Sequence, residues 1–287
     1  MTPKKIVPWI QSDFAAVHQY KKTLSELSAA GELPIGSWRA GEIEILSDSL
    51  LIREASETMR ERLIMRQQER GQKIDAQQIR RWTQPGIVYD DPYLQIIRFA
   101  VAFPAHQGTS TPILGLYITA LWGGVQCSDP GVCVVPMTTE GKLVLVRTYR
   151  HAVRGWRFEF PRGTFIPPSE HAHRASVLDT VRAEVREEAG YDVVASSLTS
   201  LGAMEAQTGL IGQRTPVYFV RVEREGIAEP EYGEAISGSI ELTPIELMDA
   251  IHKGYHEHPV QGGLMQTSIY GSFESYGLLA LQRHALI

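Results

Sequence analysis

The sequence predicts a mixed α+β chain, with a helical first part and then a strand-rich part whose few helices cover the sheet as α/β sandwich layers. Three observations carry that expectation. Leu51, Ala55, Met59 and Leu63 recur every four residues among Arg, Glu and Gln, the period of a helix with one apolar face. Residues 93–103 (YLQIIRFAVAF) and Ile113–Trp122 (ILGLYITALW) are apolar and rich in strand formers. The texture changes from the first kind to the second at Gln84-Pro85-Gly86, a run that stops helices.

The helical part opens with residues 13–27, which mix polar and apolar side chains at helical spacing with Gly31 just beyond. Asp48 or Ser49 is placed to cap the second helix and Gly71 to end it. Residues 74–82 form a short third helix. Residues 1–82 are therefore expected to be a helical N-terminal extension, and residues 83–287 a second domain. In that domain residues 132–137 and 142–149 read as strands joined by the turn Thr138-Thr139-Glu140-Gly141. Residues 156–160 are a strand ending at Pro161-Arg162-Gly163, followed by a loop and a helix over 176–189 that Gly190 stops. Strands are expected again over 201–205 and 217–222, and helices over 243–252 and near 265–282.

Composition narrows the function. Hydrophobic residues make up 43% of the 287, enough for a sizeable core. The charge is mixed, with a formal net of -5, so nothing electrostatic suggests nucleic acid or an anionic membrane as partner. The two cysteines, Cys127 and Cys133, make neither a disulfide framework nor a metal site by themselves and read as reduced thiols. Residues 1–10 lack the apolar segment of a signal peptide, and no stretch approaches the ~20 apolar residues of a membrane span. A cytoplasmic protein is the expectation.

The helix around residue 184 carries the chemistry. In Ala183-Glu184-Val185-Arg186-Glu187-Glu188-Ala189-Gly190, Glu184 and Glu188 are four apart and Glu187 is three from Glu184, so all three approach one α-helical face. Carboxylates so close repel one another, and a hard divalent cation, which needs several oxygen ligands, turns that repulsion into attraction. Leu178, Val185 and Ala189 make an apolar stripe on the adjoining flank that buries the helix and leaves the acidic face open. Taken alone, the pattern also fits a solvated acidic face.

A strand ending in Pro161-Arg162-Gly163, a loop, and a helix carrying Glu184, Glu187, Glu188 and Gly190 together resemble the Nudix box of the Nudix hydrolase superfamily. Further segments resemble its ADP-ribose pyrophosphatase branch: Val88-Tyr89-Asp90-Asp91, Val146-Arg147-Thr148-Tyr149-Arg150, Phe158-Glu159-Phe160 and Ile240-Glu241-Leu242-Thr243-Pro244. The likeness spans roughly residues 86–280. It implies a Nudix α/β/α sandwich with a mixed sheet, preceded here by the small helical region. It also implies hydrolysis of a nucleoside diphosphate joined to another group, dependent on Mg2+ or Mn2+, in a homodimer.

The resemblance assigns Glu184 and Glu188 as metal ligands and Glu187 as a ligand or base, with the backbone at Arg162 or Gly163 completing the set. Arg147, Arg150 and Arg162 become candidate phosphate contacts. Tyr149 and Trp156 are candidates to stack on a base or ribose, with core packing as the competing reading. Two departures stand out. The box arginine falls on Ala183, and six extra residues lie within 164–175, where Glu170 is a substitute for the missing loop glutamate and Arg182 or Arg186 for the arginine. After the box, Gln213 stands where the family often has a glutamate. A glutamine cannot accept a proton from water, so Glu205 becomes the candidate base in its place. A catalytically weakened domain that senses a nucleotide or serves as an interaction module is the alternative.

Overall fold

Two groups of apolar strands build two separate sheets, and the chain divides between them. The computed structural model describes residues 11–29, 42–73, 75–91, 94–105, 111–122, 131–163, 176–205, 209–211, 214–224, 226–230, 234–260 and 263–287. Two units result, residues 1–128 with 207–212 and residues 129–206 with 213–287.

The first unit runs α1 (Gln11–Ala29), β1 (Glu44–Ile45), α2 (Ser49–Glu69), α3 (Ala76–Trp82), β2 (Gly86–Asp90), β3 (Leu94–Phe103) and β4 (Ile113–Trp122). Aspartates start two of its helices: Asp48 accepts from the N–H groups of Leu50 and Leu51, and Asp75 from those of Gln77 and Gln78. β3 is its spine. One edge pairs with β4 along its whole length, and β2 and β1 share the other edge. Between them the hydroxyl of Tyr20, a fully buried residue of α1, accepts from the Ala100 N–H at 3.1 Å. Ile97, Phe99 and Val101 pack with Val17, Tyr20 and Leu24 of α1 and with Ile52 and Ala55 of α2. Residues 86–122, expected to start the second domain, are therefore part of the first unit, because the helices before them bury their central strand.

The second unit holds β5 (Val132–Thr138), β6 (Leu143–Arg150), a 3-10 turn (His151–Val153), β7 (Gly155–Glu159), β8 (Arg162–Gly163) and α4 (Val177–Glu184). α4 continues as a π-helical turn, Val185–Ala189. Then come β9 (Tyr191–Val193), β10 (Thr199–Met204), β11 (Thr215–Arg224), β12 (Ile236–Leu242), α5 (Pro244–Lys253), β13 (Tyr255–Val260), β14 (Gly263–Ser268) and α6 (Ser272–Arg283). The strands form one mixed sheet in the order β10-β11-β5-β6-β7-β14-β13, with β12 on β6, β8 on β5 and β9 on β11. The β5–β11 and β7–β14 pairs are parallel.

Alternation along the central strands makes three layers. On β5, Val132 and Val134 face α4 while Cys133, Val135 and Met137 face α5 and α6. On β6 the same division separates Val144 and Val146 from Leu143 and Leu145. Strands buried on both faces read as continuous apolar runs, and helices must then cover both sides.

One element differs in kind from the sequence expectation. Residues 263–268 form a strand paired with β13 from Tyr255–Ser268 to Val260–Gly263, and the helix begins only at Ser272. Leu, Met and Gln there favour a helix, but the adjoining strand offers a ladder of backbone hydrogen bonds, and tertiary pairing overrides the local preference. No helix among the described residues is long and apolar enough to cross a membrane.

Candidate metal centre

The site is built where β8 meets α4. α4 starts at Ser176, whose hydroxyl accepts from the Asp179 N–H at 3.2 Å. Val181, Val185 and Ala189 bury it against the sheet, while Leu178 of the expected stripe is only half-buried. Gly190 ends the helix at φ 75, and a Cβ there would meet the backbone of Gly226–Ala228.

Glu184 and Glu188 are buried, with 3% and 5% exposure, a position that isolated carboxylates avoid. Both face the strand end. A Cβ built on Gly163 would fall on the Glu184 carboxylate, so only glycine leaves room for it. Glu188 accepts a hydrogen bond from the Arg162 backbone N–H at 3.1 Å. Burial, then the charges of Glu184 and Glu234, push the Glu188 carboxyl well above its ordinary range, against the Arg162 N–H and the charge of Arg150.

Glu187 does not join this pair. It lines a polar pocket of about 470 Å3 with Asp179, Arg182, Arg186 and Asp192. The π turn explains the separation. It holds more residues per turn than an α-helix, so the three-residue step from Glu184 to Glu187 falls further short of a full turn.

Beside the pair lies a charged chain. Glu159 accepts from Arg150 Nε at 2.9 Å and Nη2 at 2.6 Å, and also from Arg162 Nη2. Burial pushes the Glu159 carboxyl up, but the Arg162 and Arg150 charges outweigh it and hold the group below its ordinary range. Glu274 also feels the charge of Arg162, yet burial raises its carboxyl despite that arginine. The difference follows from contact: Glu159 takes direct hydrogen bonds from the guanidinium, whereas Glu274 accepts from the Phe160 N–H.

The other expected site residues have structural partners. Arg147 donates to Thr267 Oγ1 and Ser237 Oγ and stacks on Trp156 at 4.2 Å. Tyr149 packs edge-on against Trp156, with ring centroids 5.5 Å apart. Glu205 is paired with Arg214 at 2.6 Å. Arg150 alone of the expected arginines is both substantially exposed, at 46% of its side chain, and within electrostatic reach of Glu188. Cys133 is buried, and burial raises its thiol far from any reactive range. Cys127, Gln213, Glu170 and the whole stretch 164–175 lie outside the described residues.

The sequence reading missed Glu159, Glu234 and Glu274. Glu159 had a signal, a lone acid between two phenylalanines of a central strand. Glu234 and Glu274 had none, because each depends on a chain crossing far away in sequence.

Among the described residues no group of three His, Cys, Asp or Glu side chains is placed to hold a metal ion. Two buried carboxylates that repel each other still suit a hard cation. Mg2+ commonly takes one or two carboxylates and fills its other positions with water and substrate phosphate oxygens. The donor set at Glu184 and Glu188 fits that usage.

No family model and no curated protein sequence matches the chain. Among solved structures it is similar to a crystal structure of an ADP compounds hydrolase, with a TM-score of 0.51 and 14% sequence identity, over 70% of this chain and 90% of that one. At that identity the likeness is one of fold: a mixed α+β architecture shared with a hydrolase of ADP compounds.

Proposed function

We propose that the chain is a Nudix-type pyrophosphohydrolase that cleaves the diphosphate of a nucleoside diphosphate linked to another group, of the ADP-ribose or nucleotide-sugar type. The observation that carries this reading is the seating of Glu184 on Gly163 and of Glu188 on the Arg162 N–H. The fold likeness to an ADP compounds hydrolase and the order of the box residues support it.

In this reading Glu184 and Glu188 hold a divalent ion, Mg2+ or Mn2+. Such an ion neutralises diphosphate charge and lowers the pKa of an attacking water. The Arg162 N–H orients Glu188 through a backbone bond that does not rotate away. Arg150, anchored by Glu159, presents its exposed guanidinium edge to a phosphate oxygen. Water adds to one phosphorus, the bridging P–O bond breaks, and two phosphomonoesters leave. Glu187, on the same helix as the buried pair, is the box residue assigned here to take the water's proton.

The test is hydrolysis of a panel of ADP-ribose, nucleotide sugars and dinucleotides with Mg2+, with and without chelator. Metal-dependent release of a nucleoside monophosphate supports the reading. Turnover that chelator leaves unchanged, or none across the panel, defeats it. A second reading, a weakened domain that binds a nucleotide without cleaving it, is favoured by one observation: Arg147, a candidate phosphate contact, is committed to Thr267, Ser237 and Trp156. Tight nucleotide binding without turnover would select it.

A further inference from the structure

We propose that Glu274 and Gly271, at the head of α6, are the positioning pair of the candidate metal centre: they set where the strand end 160–163 stops against α4. The proposal rests on the metal-dependent reading above.

α6 grips that strand end at three points. Glu274 Oε1 accepts the Phe160 N–H at 2.9 Å. The Phe160 ring lies so close to Gly277 that a Cβ there would come within 2.7 Å of it. The Arg162 guanidinium sits over the Phe273 ring at 4.9 Å. Residues 273, 274 and 277 share one helical face, so the three contacts act as one clamp. The very next backbone groups are the ones the acidic pair uses: the Arg162 N–H that holds Glu188 and the open Cα of Gly163 that admits Glu184.

The clamp is an unusual one. Glu274 is fully buried, and its Oε2 has no hydrogen-bond partner among the described residues. An unpaired buried oxygen is costly, and of the two carboxyl oxygens only Oε1 offsets that cost, through the Phe160 N–H. Gly271 completes the seat. Its φ of -73 suits any residue, yet a Cβ there would fall on the Glu274 carboxyl. An alanine at 271 therefore leaves the helix start intact and pushes the carboxyl away from the Phe160 N–H.

That geometry gives two independent ways to release the clamp in the full chain. Binding of Mn2+ alone is read by electron paramagnetic resonance, without substrate, beside the thermal midpoint. Glu274→Ala and Gly271→Ala are each expected to weaken Mn2+ binding by about 10–100-fold, the usual range for residues that orient metal ligands. The double variant is expected to be no weaker than the worse single one, because both changes break the same contact. Glu274→Gln keeps an acceptor for the Phe160 N–H and is expected to stay within about threefold of the parent. Parent-like Mn2+ binding in Gly271→Ala, or effects of the two single changes that multiply, would overturn the proposal. Should Glu274→Ala fail to fold, Gly271→Ala, which keeps the carboxyl, decides by itself. A parent chain that binds no Mn2+ defeats the metal reading, and the positioning role with it. A parent that binds while both variants match it defeats the positioning role alone.

Discussion

The carboxylate of Glu184 occupies the space that a side chain at position 163 would fill. A helix and a strand end thus meet through one acid and one missing Cβ. Gly163→Ala is expected to swing Glu184 off the strand end while sparing the core, since only the far end of a flexible side chain must move. Displacing a ligand by about 1 Å can cost about 100-fold in rate. Steady-state kcat/KM with Mg2+, set beside the thermal midpoint, checks this; a large drop in the midpoint would show a folding defect instead.

Glu188 is held in the fold at a cost in stability that the proposed metal would offset. Burial and the charges of Glu184 and Glu234 raise its carboxyl well above the ordinary range, against the Arg162 N–H and the Arg150 charge. Glu188→Gln should leave stability in chelator unchanged or raise it by about 1 kcal/mol, or roughly 2–4 °C in midpoint for a domain of this size. Added Mg2+ should raise the midpoint of the parent and not of the variant, because only a ligand that binds the folded state stabilises it. Equal Mg2+ shifts in both would remove Glu188 from the site.

Glu159 sets part of the acid limb of stability. Its folded carboxyl is held below the ordinary value of 4.5 by Arg162 and Arg150, against burial. It therefore contributes stability that is fully present above that value and lost as pH falls through the lower folded one. Glu274, raised by burial, titrates with the opposite sign, so the parent curve alone does not isolate either group. Comparing Glu159→Gln with the parent by urea unfolding from pH 7 to about 3 does. The gap between the two should be widest at neutral pH and close as the medium acidifies; a constant gap would contradict the ion-pair account.

In the first unit, Tyr20 fills the interval between β1 and β2 on the edge of β3. Tyr20→Phe keeps the ring and leaves the Ala100 N–H buried without its acceptor. A loss of about 1–3 kcal/mol is expected. Urea unfolding followed by Trp fluorescence measures it, and catalytic activity attributed to the second unit should stay unchanged.

The local patterns were legible in the residues themselves. The spacing of Leu51, Ala55, Met59 and Leu63, the apolar runs of β3 to β6 and the Glu184–Gly190 helix all express interactions within a few residues, which periodicity records. So did the pairing of an acidic helix with the glycine at 163, through its order in the chain. What the tertiary structure decided involves groups far apart along the chain. The β13–β14 ladder turned helix-forming residues into a strand. The π turn parted Glu187 from Glu184 and Glu188, and neighbours from β12 and β14 took up Arg147. Glu274 reaches Phe160 across 114 positions. Such contacts form only when sheet and helices close on one another, and a carboxylate carries no mark in the sequence of the strand end it will meet.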